Sequence, residues 1–173
     1  MPSRLKLLTH EMKHHAPYTL GGAVIGIFLL DLSISQAWVG HHSEDFFEVF
    51  HPAHVFFSAI TTTALFRQYA PKSWVRNILV GILGSIGIGT LSDCLIPFWG
   101  EMLVGMEHAH MHIGFIEEPL VILSAAALGV GLGFLWPRSK FNHGIHVFLS
   151  TAATLFHVRM ATESDSRFPS TVS

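Results

Sequence analysis

Five long apolar stretches dominate this chain and limit its fold more than any other feature. They cover residues 18–38, 49–66, 75–99, 113–136 and 143–158. A helix needs about 20 predominantly apolar residues to cross a bilayer, and backbone groups in lipid must be hydrogen-bonded within the segment. Only 13% of the residues are charged, against roughly 25% in soluble domains. We therefore predict an all-α integral membrane protein, a bundle of five transmembrane helices.

The links between these stretches are short, which predicts antiparallel neighbouring helices in one domain. We expect a single transmembrane helical domain over residues 1–161. Residues 162–173 are polar and rich in Ser and Thr, which predicts a flexible tail. Cys94 is the single cysteine, so an intrachain disulfide is excluded.

The distribution of positive charge predicts the orientation. Lys and Arg collect at residues 4–13, 67–76 and 138–140, which lie on one side of a five-helix serpentine. The other side has only Arg159 and Arg167. The positive-inside rule then places the N-terminus in the cytoplasm and the C-terminus outside, in what we expect to be a prokaryotic cytoplasmic membrane. The net charge of −2 offers no basic field for nucleic acid, so lipid is the expected surroundings.

Histidine is unusually frequent, with 13 residues against 10 for Lys and Arg together. Most acids and many histidines fall in or near the predicted outer loops. An ionisable group inside a membrane costs at least about 2.5–3.5 kcal/mol, so several at one depth indicate mutual compensation or a bound cation. The loop acids are expected to be solvated charges of a vestibule: Glu44, Asp45, Glu101 and Glu107.

A metal site is predicted in the outer half of the bundle. His51 and His54 are three residues apart and share a helix face, which Glu48 extends by one turn. Mixed imidazole and carboxylate ligands suit Zn, Fe, Mn or Ni and disfavour Cu⁺. Glu117 and Glu118 would point about 100° apart on a helix, so at most one of them should face the metal site. The predicted ligands are His51, His54, Asp93, His108, His112, Glu117 and His157.

A second group of residues is expected along a pathway or at a second site. His143 and His146 share a helix face near the predicted inner surface, where a transport pathway needs ligands. The alternative for the inner histidines is an interfacial rim, and Asp31 has the alternative of a local hydrogen bond to a neighbouring serine. The group consists of Asp31, Glu48, Glu118, His143 and His146.

The preferred function is binding of a divalent transition metal for ion transport across the membrane. One alternative is a membrane-embedded, metal-dependent hydrolase or oxidoreductase, in which an open coordination position activates water or oxygen. Another is a haem b electron-transfer subunit, because His143 and His157 lie fourteen residues apart on one predicted helix. A polar path from the outer cluster to His143 and His146 would favour transport. A vacant coordination position beside an apolar groove would favour an enzyme.

Small residues recur every four positions in two of the predicted helices. Gly81, Ser85 and Gly89 form one such series, and Gly129 and Gly133 form the other. This spacing allows helices to approach closely in lipid, either within the chain or between chains. Because five helices are few for a transporter, we expect a homodimer packed through these glycine-rich faces.

Overall fold

The computed structural model describes residues 4–69, 73–106, 109, 111–135 and 140–167. All regular elements in these residues are helical, so the all-α prediction is confirmed. A π-helical segment joins α4 to α5 without a break. The elements are α1 (Arg4–Ser35), α2 (Ala37–His41), α3 (Ser43–Tyr69), α4 (Trp74–Gly89), the π-helical segment (Thr90–Leu95), α5 (Ile96–Leu103), α6 (Gly114–Glu117), α7 (Pro119–Leu135) and α8 (Lys140–Arg167).

Each of the five predicted apolar stretches contains helix in its described residues. Among the described residues, Ser43–Gln68 and Trp74–Leu103 are long and apolar enough to cross a membrane. Two shorter apolar helices, Ala16–Leu29 and Pro119–Leu135, occupy the first and fourth predicted stretches. Length and composition alone can also be met by the core helix of a soluble protein. The five crossings and the orientation therefore stay predictions.

Helix α3 is the centre of the bundle and packs against α4, α7 and α8. Its buried face is made of small and branched side chains such as Val55, Ala59 and Ile60. Helix α1 packs against α8. Because α3 touches three other long helices, polar residues on its buried face lie where several elements can contribute partners.

The two glycine series are packing faces within the chain. A Cβ atom at Gly81 or Gly133 would lie under 3.0 Å from Thr63, and one at Gly129 would meet the carbonyl oxygen of Phe56. The glycines thus let α4 and α7 approach α3 closely. These contacts lie within one chain, and the expected homodimer stays a prediction.

The π-helical segment places Asp93 and Cys94 in the interior, where both are fully buried. A π turn changes the direction of the side chains that follow it relative to a continuous α-helix, and such turns occur frequently at functional sites. Thr154 of α8 donates a hydrogen bond to the carbonyl oxygen of Ser92 over 3.1 Å. The irregular backbone is therefore supported by a neighbouring helix.

Helix α8 continues to Arg167, into the segment that the sequence predicts as a flexible tail. Arg159 and Glu163 form an ion pair one turn apart at 3.2 Å, and Glu163 also lies 3.2 Å from Nδ1 of His41. These contacts join the short helix α2 to α8 and explain why helix extends past residue 162. Residues 168–173 lie outside the described residues.

Candidate functional site

The carboxylate of Asp93 is surrounded by hydrogen-bond donors from three elements. Nδ1 of His51 lies 2.9 Å and Nδ1 of His54 lies 2.6 Å from Asp93 Oδ2. The hydroxyls of Ser92 and Ser150 lie 2.6 Å and 3.0 Å from Oδ1. Asp93 and His54 are 0% exposed and His51 is 1% exposed. We call these five residues the Asp93 cluster.

Local sequence explains why these groups meet. The spacing of His51 and His54 directs both rings from one face of α3, and the π-helical segment turns Asp93 toward that face. Two glycines leave room for the ring of His51. A Cβ atom at Gly114 would lie 2.8 Å from His51 Nε2, and one at Gly89 would lie 3.5 Å from His51 Cε1.

The shared carboxylate determines which ring nitrogen of each histidine is available. An ionised carboxylate only accepts hydrogen bonds, so both Nδ1 atoms carry the hydrogen, and in a neutral ring the Nε2 atom then keeps a lone pair. The Nε2 atoms of His51 and His54 are buried and have no hydrogen-bond partner. A buried polar atom without a partner costs roughly 1–3 kcal/mol, which a bound cation would offset. Histidines that ligate metals commonly donate their other N–H to a carboxylate in this way.

A cavity of about 470 Å³ lies beside His51. Four carboxylates and two imidazoles contribute to its wall: Glu44, Glu48, Glu117, Glu118, His51 and His112. Nδ1 of His112 lies 3.5 Å from Oε1 of Glu117, so these two predicted ligands meet at the wall. Carboxylates concentrated around a cleft with low-dielectric walls attract cations. Glu117 and Glu118 both line the cavity, whereas the sequence predicts that at most one of them faces the site.

A second imidazole–carboxylate pair lies beside the cluster. Nε2 of His157 is 3.7 Å from Oε1 of Glu101, and both side chains are 1% exposed. The ring of Phe47 separates this pair from the Asp93 cluster, because it stacks on His51 at 5.2 Å and meets His157 edge-on at 5.5 Å. The ring of His112 packs against His157 on another side. The prediction of a solvated Glu101 is therefore wrong, since α5 turns this residue into the bundle.

His54 of the Asp93 cluster contacts a histidine of α8. The rings of His54 and His146 stack with their centroids 5.0 Å apart and their planes tilted by 30°. The sequence assigns His146 to the inner half of the protein and His54 to the outer cluster. Titratable side chains therefore continue from the cavity through His51, Asp93 and His54 to His146. We call this series the polar line.

The remaining predicted site residues are placed differently. Asp31 lies on an exposed part of α1. Residue 108 is outside the described residues, as is the side chain of residue 143, so His108 and His143 stay predictions. In the part of the chain that the structure describes, no three His, Cys, Asp or Glu side chains are grouped so that they could hold a metal ion. Ser92, Ser150 and Glu101 were missed, because a serine or a loop acid in a sequence gives no sign of its burial.

No protein-family model matches this chain, and comparisons with characterised proteins and with solved structures find no match.

Proposed function

We propose that this chain is a polytopic membrane protein that binds a divalent transition-metal ion and moves it along the polar line. The observation that carries the proposal is the ring of His51. Its Nδ1 is held by the buried Asp93 carboxylate, and its Nε2 has no hydrogen-bond partner and lies beside a cavity lined by four glutamates.

The distribution of apolar and polar side chains supports a location in lipid. Large apolar residues cover outward surfaces of α4 and α7, where Leu83 is 67% and Leu120 is 79% exposed. The interior instead holds ionisable groups such as Asp93, His157 and Glu101. Soluble proteins rarely expose extended apolar surfaces, whereas ionisable groups in membrane bundles face the interior. The proposal includes five crossings with the N-terminus in the cytoplasm, supported by the positive charge on one side.

The cavity supplies the ligand types that a borderline divalent metal prefers. His51 would contribute Nε2, and His112 and Glu117, which line the same cavity, would complete a mixed nitrogen and oxygen set. Such a set suits Zn, Fe, Mn or Ni. The remaining glutamates would balance the charge of the cation while it sheds water.

The described residues do not support a structural metal site. A structural zinc site holds four ligands in a closed tetrahedron, whereas the described residues contain no ready group of three. An ion would bind only when the side chains of the cavity close around it. Transport requires binding that is favourable enough for the ion to enter and weak enough for it to leave.

The polar line supports transport over catalysis. A catalytic site needs only the metal and an open coordination position. The polar line instead continues past Asp93 to His54 and His146. Residues of this kind inside a membrane bundle typically mark ion or proton pathways.

A metal-dependent enzyme is the second candidate, and the apolar part of the cavity favours it. Phe47, Val121, Ile122 and Met160 line the same space as the glutamates. A metal held by His51 with an open position could activate water next to an apolar substrate. In that case the protein would turn over a lipid-like substrate and would not move metal between compartments.

Reconstitution tests the transport proposal directly. Purified protein in liposomes with a zinc-sensitive dye inside should show zinc influx above that of protein-free liposomes. Glu48→Gln should slow this influx, because Glu48 lines the cavity. Asp45→Asn is the matched control, since Asp45 is an exposed acid of the same helix that does not line it. Equal rates for wild type and empty liposomes would reject transport, and equal slowing by both substitutions would reject the cavity as the route.

A further inference from the structure

We propose that His54 and His146 form a second cation-binding site, on the far side of Asp93 from the cavity. This proposal rests on the proposed function and deepens it, because it identifies where the ion goes after His51. The chemical class of the ligand is a divalent transition-metal ion that accepts imidazole nitrogen.

The orientation of His54 provides the first argument. Its Nδ1 is bound to Asp93 Oδ2 over 2.6 Å, so Nε2 on the other side of the ring points away from the carboxylate. This Nε2 is buried without a hydrogen-bond partner, in a side chain that is 0% exposed. A lone pair held rigidly in a dry interior is a preorganised metal ligand.

The distance between the two rings provides the second argument. The centroids of His54 and His146 are 5.0 Å apart, with the ring planes tilted by 30°. The packing of α3 against α8 keeps the two rings adjacent. Because the lone pair of an imidazole nitrogen lies in the ring plane, both rings reach one zinc ion, at about 2.0–2.1 Å from each nitrogen, once one ring turns out of the stack.

Asp93 connects the cavity site and this deeper site. One carboxylate oxygen accepts hydrogen bonds from both His51 and His54, so the same negative charge supports an ion on either side. Two divalent ions on opposite sides of a single carboxylate repel each other. The second ion should therefore bind more weakly, and an ion arriving at His51 favours release of the one at His54 and His146.

Zinc titration of the purified, untagged protein in detergent tests the second site. His146→Phe keeps an aromatic ring for the stack and removes the ligand nitrogen. His51→Asn keeps an N–H donor for Asp93 and removes the cavity ligand. Each variant should bind one zinc ion fewer per chain than the wild type, and the double variant should bind two fewer. Differences between variants are the measured quantity, because the other histidines add the same background throughout.

The outcomes separate the two proposals. If zinc binding by the wild type equals that of the double variant, the proposed function fails. If His51→Asn removes all of the binding above that background while His146→Phe changes nothing, the cavity site stands and the second site is rejected. His54→Asn also keeps a donor for Asp93 and should match His146→Phe. The His54→Asn variant provides an independent test of the second site if the His146→Phe variant does not fold, as judged by its elution from a size-exclusion column.

Discussion

Nδ1 of His54 lies 2.6 Å from Oδ2 of Asp93, and neither side chain is exposed. This contact fixes the rotation of the imidazole ring and the position of its hydrogen. The same oxygen holds His51 from the cavity side. A single carboxylate oxygen therefore orients two potential ligands.

Replacing the carboxylate tests whether Asp93 organises the site. Asp93→Asn keeps the shape but presents an N–H group or a weaker acceptor to two N–H donors. We expect zinc affinity to fall by about 10–100-fold, as for other outer-shell partners of metal ligands. The free energy of unfolding should fall by about 3–5 kcal/mol, because one partner of a buried charged network is lost. Calorimetric zinc titration and thermal unfolding measure the two effects.

Asp45→Asn, which changes an exposed acid of α3, provides the control for this substitution. It should change zinc affinity and unfolding far less than Asp93→Asn. Similar losses in both variants would show that Asp93 has no special part in binding.

Space at Gly114 is required for the observed position of His51. In Gly114→Ala the new Cβ would lie 2.8 Å from His51 Nε2 and 2.6 Å from Cδ2, so the ring must move. We expect slower zinc influx and a loss of about 1–3 kcal/mol in stability from overpacking. Gly87→Ala is the matched control, because no atom lies within 4 Å of its added Cβ. Influx that is unchanged in Gly114→Ala would contradict the assignment of His51 as a ligand.

The hydroxyl of Ser150 contacts the carboxylate oxygen of Asp93 that the histidines do not contact. Ser150→Ala removes a donor that lies 3.0 Å from Asp93 Oδ1 and leaves Ser92 in place. A loss of about 0.5–1.5 kcal/mol in unfolding free energy is expected, typical of one hydrogen bond. Chemical denaturation of this variant and of Ser124→Ala, which alters an exposed serine of α7, measures the difference. Equal stabilities would mean that Ser150 contributes nothing to the cluster.

Metal analysis and a visible spectrum separate the metal proposal from the haem alternative. Protein purified without a chelator or affinity histidines should contain Zn, Fe, Mn or Ni and show no Soret band. The reason is that acids surround the cavity, whereas a haem pocket is predominantly apolar. A Soret band that follows the protein through purification would overturn the metal assignment in favour of electron transfer.

Parts of the site follow from local sequence alone. The three-residue spacing of His51 and His54 places both rings on one helix face in any α-helix, so their joint action was predictable. The apolar stretches likewise predict where the long helices lie. Local spacing says nothing about the neighbour that each face meets. The glycine series on α4 and α7 could have served a second chain, yet they receive α3 of the same chain.

The sequence by itself determined the helical architecture, the inward-facing pair on α3 and the abundance of acids and histidines near one end. These properties depend on residue type and on the period of the helix. Only the tertiary structure decided that Asp93 bridges both histidines, that Glu101 is buried and that His146 stacks on His54. Those contacts depend on a π-helical turn and on how α3, α5 and α8 pack, and such long-range packing is set by all of the helices together.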